Sequence, residues 1–174
     1  MQRLVQTNLG IEPAVLVEIY RQLSRIRAVD KAIQAGLSGG KFLFSYWPMT
    51  GQEAIPATLS QLIDSRDYMV TTYRGIHDQV AKGVALEGLF AEMFGRSGGV
   101  NKGKGGSPHI SDPSSGSMLT TAIVGWRRTG ACGLSELVRP PASALQYSYN
   151  VNVTWLSSQT SNSAFRIRGE QICR

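Results

Sequence analysis

Apolar side chains in the first part of the chain recur at three- and four-residue steps. From Leu16 to Ile33 they share one face of a helix, which this pattern places between Pro13 and Ala35. Proline suits the first turn of a helix, and Gly36 suits its end. The pattern therefore predicts an amphipathic helix that buries one face.

The same analysis predicts further elements between residues 41 and 125. They are a buried aromatic loop or short strand at 41–50, a helix at 52–63, a strand at 67–72, helices at 77–82 and 86–94, and a buried apolar stretch at 118–125. Helix, strand and helix alternate along this region, and that order is typical of an α/β layered fold.

The periodicity stops between Gly95 and Ser117, a segment that contains seven glycines. A loop this long within one domain is usually functional, although a flexible, solvated turn is the alternative. Gly98, Gly103 and Lys104 reproduce the GxxxxGK spacing of a phosphate-binding P-loop. The P-loop interpretation is rejected, because position 105 is glycine where a metal-binding hydroxyl is required and no apolar strand leads into the loop.

Composition places the chain among ordinary globular proteins, with 42% hydrophobic and 17% charged residues. No apolar stretch approaches the length of a membrane-spanning helix, and the start of the chain lacks the apolar core of a secretory signal. A cytoplasmic location without membrane contact is therefore the default expectation. The net charge of +6 could favour a polyanion. Nucleic acid is not the expected partner, because no aromatic residues are interleaved with the cations Arg96, Lys102 and Lys104, which suit a small phosphate ligand instead.

Tyr73 and Arg74 directly follow the predicted strand. Ligands of α/β sheets collect at the carboxyl ends of strands, where an arginine offers a planar fork for phosphate oxygens. An ion pair between Arg74 and Asp78 is the alternative. The two histidines, His77 and His109, are not assigned a catalytic role, and no His, Cys, Asp or Glu residues show metal-ligand spacing.

Five short motifs occur in a fixed order along the chain. They are GQEA at 51–54, TTYRGIHDQVAKG at 71–83, AEMFGRSGG at 91–99, NKGKGGSPH at 101–109 and TAIVG at 121–125. Together they closely resemble the alpha subunit of thiamine-diphosphate-dependent dehydrogenases that act on pyruvate, branched-chain 2-oxo acids or acetoin. The likeness runs from about Val15 to Gly125.

This resemblance implies a doubly wound parallel sheet of the thiamine-diphosphate-binding fold in an alpha/beta heterotetramer. It implies an oxidoreductase whose thiamine diphosphate, held between an alpha and a beta subunit, decarboxylates a 2-oxo acid or cleaves acetoin. The acyl group then passes to the lipoyl group of a partner acyltransferase. The sequence does not decide among pyruvate, branched-chain 2-oxo acids and acetoin as the substrate.

The resemblance also implies roles for individual residues. Tyr73 and Arg74 match positions that contact the diphosphate, and Ala122 and Val124 match positions that meet the aminopyrimidine through backbone atoms. Many family members carry a histidine four residues before the GQEA glycine, and it reaches the active site. That position is Trp47 here, so the role of the histidine is not transferred.

The sequence departs from the family after Gly125. The family continues to a GDG motif whose aspartate binds magnesium, whereas this sequence contains no GDG and the segment WLSSQ stands in its place. Segments such as WRRT and VRPPAS lack helical or strand periodicity. We explain them by the hypothesis that the reading frame has shifted in this part of the gene. We therefore predict the amino-terminal part of a thiamine-diphosphate-binding dehydrogenase domain at 1–125, with an incomplete sheet, and a poorly ordered tail at 126–174. Because the metal ligands are missing, we predict that the chain is inactive. A non-catalytic remnant that binds the beta subunit is the alternative.

Overall fold

The computed structural model describes residues 10–64, 66–123, 145–148 and 153–157. The described elements are α1 (Pro13–Ser38), α2 (Ala54–Leu59), β1 (Tyr68–Thr72), α3 (Ile76–Lys82), α4 (Leu86–Met93), a 3-10 turn (Pro113–Ser115), β2 (Ser117–Thr121), β3 (Leu145–Ser148) and β4 (Val153–Ser157). Each predicted helix and the predicted strand is present. The predicted bounds of the second helix were too wide, because α2 ends at Leu59 and short turns follow it.

The four described strands form one sheet in the order β2-β1-β4-β3. Strands β1 and β2 are parallel, with Thr71 opposite Thr120 and Thr72 opposite Thr121. Strand β4 pairs antiparallel with both β1 and β3. The prediction of an α/β fold with parallel strands is thus confirmed for β1 and β2, and the sheet also contains antiparallel pairs that the prediction did not include.

The second half of helix α1 contributes the predicted apolar face to the main core, whereas Leu16 and Tyr20, which were predicted on the same face, are exposed. Ile26, Val29 and Ile33 are buried there, together with apolar residues of α3 and α4 and with Ile110 of the glycine-rich segment. Burying one such aliphatic side chain contributes about 1.5–3 kcal/mol, so this face supplies much of the stability of α1. The core therefore fixes α1, α3 and α4 against one another.

The aromatic segment at 41–50 is a loop rather than a strand, and it is only partly buried. Phe42 lies over Gly36 of α1, where an added Cβ would come within 2.2 Å of the ring. Leu43 is 94% exposed, so the prediction of a buried segment was wrong at that residue. The loop folds back along α1 because glycine at position 36 leaves room for an aromatic ring.

The predicted tail at 126–174 contains strands β3 and β4, which pair antiparallel with each other. The WRRT and VRPPAS segments lie outside the described residues. The division at residue 125 and the reading-frame hypothesis stay predictions. None of the helices in the described part of the chain is long and apolar enough to cross a membrane.

Candidate functional site

The carboxyl ends of β1 and β2 lie side by side. The backbone N–H of Tyr73 donates to the carbonyl oxygen of Thr121 at 2.9 Å, which joins the first residue after β1 to the last residue of β2. Tyr73, Arg74 and Ala122 therefore share one edge of the sheet, where ligands of α/β folds bind. Val124, the fourth predicted site residue, lies outside the described residues.

Arg74 lies beside an aromatic pair at this edge. Its guanidinium carbon is 5.8 Å from the centroid of the Tyr73 ring, and the Trp47 ring packs edge-to-face on Tyr73 at 4.9 Å between centroids. Among the described residues, no ion pair joins Arg74 to Asp78. Asp78 instead accepts a hydrogen bond from Thr71 Oγ1 at 2.6 Å. The alternative interpretation of Arg74 as half of a surface ion pair is not supported.

The loop that carries Trp47 is anchored on one buried carboxylate of α1. Asp30 is 2% exposed and accepts hydrogen bonds from Tyr46 Oη, from Thr50 Oγ1 at 2.9 Å and from Gln34 Nε2 at 2.7 Å. Burial and, after it, the contact with Asp30 raise the pKa of Tyr46, so the phenol stays protonated and keeps donating. The sequence analysis missed Asp30, although its position between Ile26 and Ile33 on the apolar face was a usable signal.

Two buried polar side chains next to the Tyr73–Arg74 turn have no hydrogen-bond partner in the described part of the chain. They are Thr72, through Oγ1, and His77, through both ring nitrogens. His77 Nε2 is 3.7 Å from Asp30 Oδ1, and burial lowers the pKa of the imidazole although Asp30 and then Glu53 oppose the shift. His77 is thus a buried, neutral side chain, whereas Thr72 Oγ1 offers an unused hydroxyl directly before Tyr73.

The glycine-rich segment folds around the carboxylate of Glu92. The two oxygens of this fully buried α4 side chain accept four backbone N–H groups, from Asn101, Gly103, Gly105 and Gly106, at 2.7–3.1 Å. Burial raises the pKa of Glu92, but the backbone donors outweigh it and hold the pKa below its usual range. The amides that a phosphate would need are therefore already bonded to a side chain of the protein itself.

The close contacts of the glycines bear on the interpretation of the segment as a flexible turn. An added Cβ at Gly99 would come within 2.5 Å of Glu92 Oε2, and at Gly103 within 2.5 Å of the Gly95 carbonyl carbon. The glycines thus permit close packing, so the flexible-turn alternative is not supported at residues 95–106. Arg96, Lys102 and Lys104 are exposed at this loop.

A cavity of about 390 Å³ lies at the opposite edge of the sheet. Its lining includes Asp64, which precedes β1, Lys82 at the end of α3, and Asp112, which precedes β2. Lys82 Nζ donates to the carbonyl oxygen of Asp64, and burial lowers the pKa of the ammonium group. Because this cavity is at the amino ends of the strands, it does not include Tyr73, Arg74 or Ala122.

Residues 21–155 match the family model described as "Dehydrogenase E1 component". The chain is 31% identical over 133 residues to the alpha subunit of acetoin:2,6-dichlorophenolindophenol oxidoreductase of Bacillus subtilis (strain 168), covering 76% of this chain and 40% of that protein. It is 34% identical over 127 residues to the mitochondrial pyruvate dehydrogenase E1 component subunit alpha-1 of Oryza sativa subsp. japonica, covering 71% of this chain and 32% of that protein. Over 81 residues it is 43% identical to the pyruvate dehydrogenase E1 component subunit alpha of Porphyra purpurea, covering 47% of this chain and 23% of that protein.

The chain thus spans two fifths or less of the length of these relatives. The match to the family model extends to residue 155, beyond Gly125, where the sequence analysis placed the end of the likeness. The five ordered motifs were therefore a correct signal of descent. The chain belongs to the dehydrogenase E1 component family, with the alpha subunits of pyruvate and acetoin dehydrogenases as its relatives.

Proposed function

We propose that this chain supplies the alpha-subunit contacts to the diphosphate of thiamine diphosphate, in a dehydrogenase that acts on a 2-oxo acid or on acetoin. The observation that carries the proposal is the position of Arg74 at the joined carboxyl ends of β1 and β2. Its guanidinium has no carboxylate partner among the described residues. A phosphate or carboxylate group is the kind of ligand that such a position favours.

The residues present fit the diphosphate half of this cofactor. Thr72 Oγ1 is buried without a hydrogen-bond partner within the described residues, and Thr72 directly precedes Tyr73 and Arg74 in the chain. A hydroxyl, a phenol and a guanidinium can all donate to phosphate oxygens. When bound, thiamine diphosphate supplies the nucleophilic carbon for decarboxylation or acetoin cleavage. The role of this chain is to hold and orient the anionic end of the cofactor. Backbone atoms at Ala122 are the proposed contact with the cofactor ring.

The residues present do not fit magnesium. No group of three or more His, Cys, Asp or Glu side chains in the described ranges is placed to hold a metal ion, and the sequence contains no GDG motif. No step is assigned to magnesium for this reason. Since a divalent cation normally neutralises part of the diphosphate charge, we propose that the chain binds the cofactor weakly and is inactive as it stands.

We further propose a beta subunit as the partner that completes the site, and a lipoyl-bearing acyltransferase as the acceptor of the acyl group. The relatives named above are themselves alpha subunits, which supports the first of these partners. The parallel β1–β2 pair supports a doubly wound sheet as the ancestral arrangement. Pyruvate, branched-chain 2-oxo acids and acetoin stay open as substrates.

Calorimetric titration of thiamine diphosphate with magnesium, with a beta subunit of the family present, tests the proposal. We expect binding by the unsubstituted chain and a loss of about ten- to a hundredfold in affinity for Arg74→Ala, because a hydrogen bond to a charged group is removed. Arg66→Ala is the matched control, since Arg66 precedes the same strand at its other end and pairs with Asp64 at 2.7 Å. Equal affinity of Arg74→Ala and the unsubstituted chain would refute the site, and silence of both would support a non-catalytic remnant.

A further inference from the structure

Trp47 lies directly against the proposed diphosphate contact. Its ring is 4.9 Å from the Tyr73 ring between centroids, at an interplanar angle of 74°. The guanidinium carbon of Arg74 is 5.8 Å from the centroid of that same Tyr73 ring. Tyr73 thus contacts an aromatic edge and a cation together, and both contacts restrict how its ring and the Arg74 fork can turn.

The backbone on both sides of Trp47 is anchored to other parts of the fold. Tyr46 Oη and Thr50 Oγ1 both donate to the buried carboxylate of Asp30, and Ser107 Oγ donates to the carbonyl oxygen of Ser45. These bonds connect the loop to α1 and to the glycine-rich segment. Trp47 is therefore held by the loop, and it can fix the Tyr73 ring instead of moving with it.

Trp47 also remains accessible at this edge. It is 37% exposed, while Met49, two residues further along the loop, is 4% exposed and packs inward. The loop thus buries Met49 and leaves part of Trp47 exposed to solvent. A residue that served the core alone would be expected to bury its large apolar surface.

We propose that Trp47 is a positioning residue for anion binding at the carboxyl end of β1. The indole holds the Tyr73 ring, and the ring in turn holds the Arg74 guanidinium, so a diphosphate meets side chains that are already ordered. Binding then does not bear the full cost of restricting two long side chains. This inference rests on the proposed function, since the anion is the diphosphate assigned there.

Titrations of inorganic diphosphate and of thiamine diphosphate, under the same conditions as above, test the inference. Trp47→Ala is expected to bind both probes about two- to tenfold more weakly, the loss that an edge-to-face pair accounts for. Trp47→Phe keeps an aromatic ring and is expected to restore most of this affinity. Leu43→Ala is the control on the same loop, since Leu43 is 94% exposed, and no change is expected.

The outcomes separate the two claims. If Trp47→Ala binds as tightly as the unsubstituted chain while Arg74→Ala shows its expected loss of affinity, the positioning role is overturned and the proposed site stands. If neither probe binds the unsubstituted chain, the proposed site is overturned and the inference falls with it. Trp47→Leu, which keeps apolar bulk without a ring, replaces Trp47→Ala if circular dichroism shows that the alanine variant is unfolded, and the same loss of affinity is expected.

Discussion

Replacing the Glu92 carboxylate by an amide tests whether one buried side chain folds the glycine-rich segment. In the native arrangement Oε2 accepts the N–H groups of Asn101 and Gly103, both at 2.8 Å, and Oε1 accepts those of Gly105 and Gly106 at 2.7 and 3.1 Å. Glutamine keeps one oxygen and turns an NH₂ group towards the other pair. Two backbone donors would then face a donor, whichever way the amide is flipped.

The magnitude follows from this count of donors. A hydrogen bond to a charged group contributes about 1.5–3 kcal/mol, so two lost bonds amount to about 3–6 kcal/mol. Burying a neutral amide costs less than burying a carboxylate, and this offsets part of the loss. We therefore expect Glu92→Gln to lower the free energy of unfolding by about 2–4 kcal/mol, a large fraction of the stability of a small domain.

Urea unfolding followed by circular dichroism measures this change as a lower midpoint at an unchanged slope. Glu87→Gln, an exposed position on the same helix α4, is the matched control and should stay within about 0.5 kcal/mol of the unsubstituted chain. Because the folded-state pKa of Glu92 is depressed, its contribution is present above the unfolded-state pKa and is lost as pH falls through the folded value. An unchanged midpoint for Glu92→Gln at pH 7 would refute this account of the loop.

Three further outcomes follow from the described contacts. Gly103→Ala should lower the free energy of unfolding by at least about 1–3 kcal/mol in urea, because φ is +74° and the new Cβ would come within 2.5 Å of a carbonyl carbon. The control Gly98→Ala should have little effect, because there is open space around Gly98. Burial lowers the pKa of His77, so the unfolded chain binds more protons than the folded chain, and stability should fall as pH drops through 6.5. The urea midpoint should therefore decrease between about pH 7 and pH 5, and His77→Gln should make this decrease smaller. Tyr46→Phe should cost about 1–3 kcal/mol by removing a donor from the buried carboxylate of α1, as measured by thermal unfolding beside the 71%-exposed control Tyr20→Phe.

The elements that the sequence predicted correctly are those with a local signal. Helix α1 repeats its apolar residues every three or four positions, and the run before Tyr73 is short and contains β-branched and aromatic residues, which favours a strand. The place of Tyr73 and Arg74 at a sheet edge followed from their order after that strand. Ala122 joined them because the parallel register of β1 and β2 brings both carboxyl ends together.

The interactions that the sequence did not predict are non-local. The Glu92 carboxylate meets amides nine to fourteen positions away, and no periodicity marks a pairing between a helix and an irregular loop. The contact of Trp47 with Tyr73 joins residues from different elements, which requires the three-dimensional arrangement of α1 and β1. Strand β4 pairs with β1 across more than eighty residues, and so distant a register has no signal in a single sequence.

The hydrogen bond from the Tyr73 N–H to the Thr121 carbonyl has a consequence for which molecules the proposed site can accept. Neighbouring strands are about 4.8 Å apart, so the separation between the arginine side and the Ala122 side is a property of the backbone ladder. Side-chain replacements can change how tightly a ligand is held, but they leave its permitted length unaltered. An analogue with a longer spacer between its ring and its phosphates should therefore be rejected even by variants with restored or added positive charge.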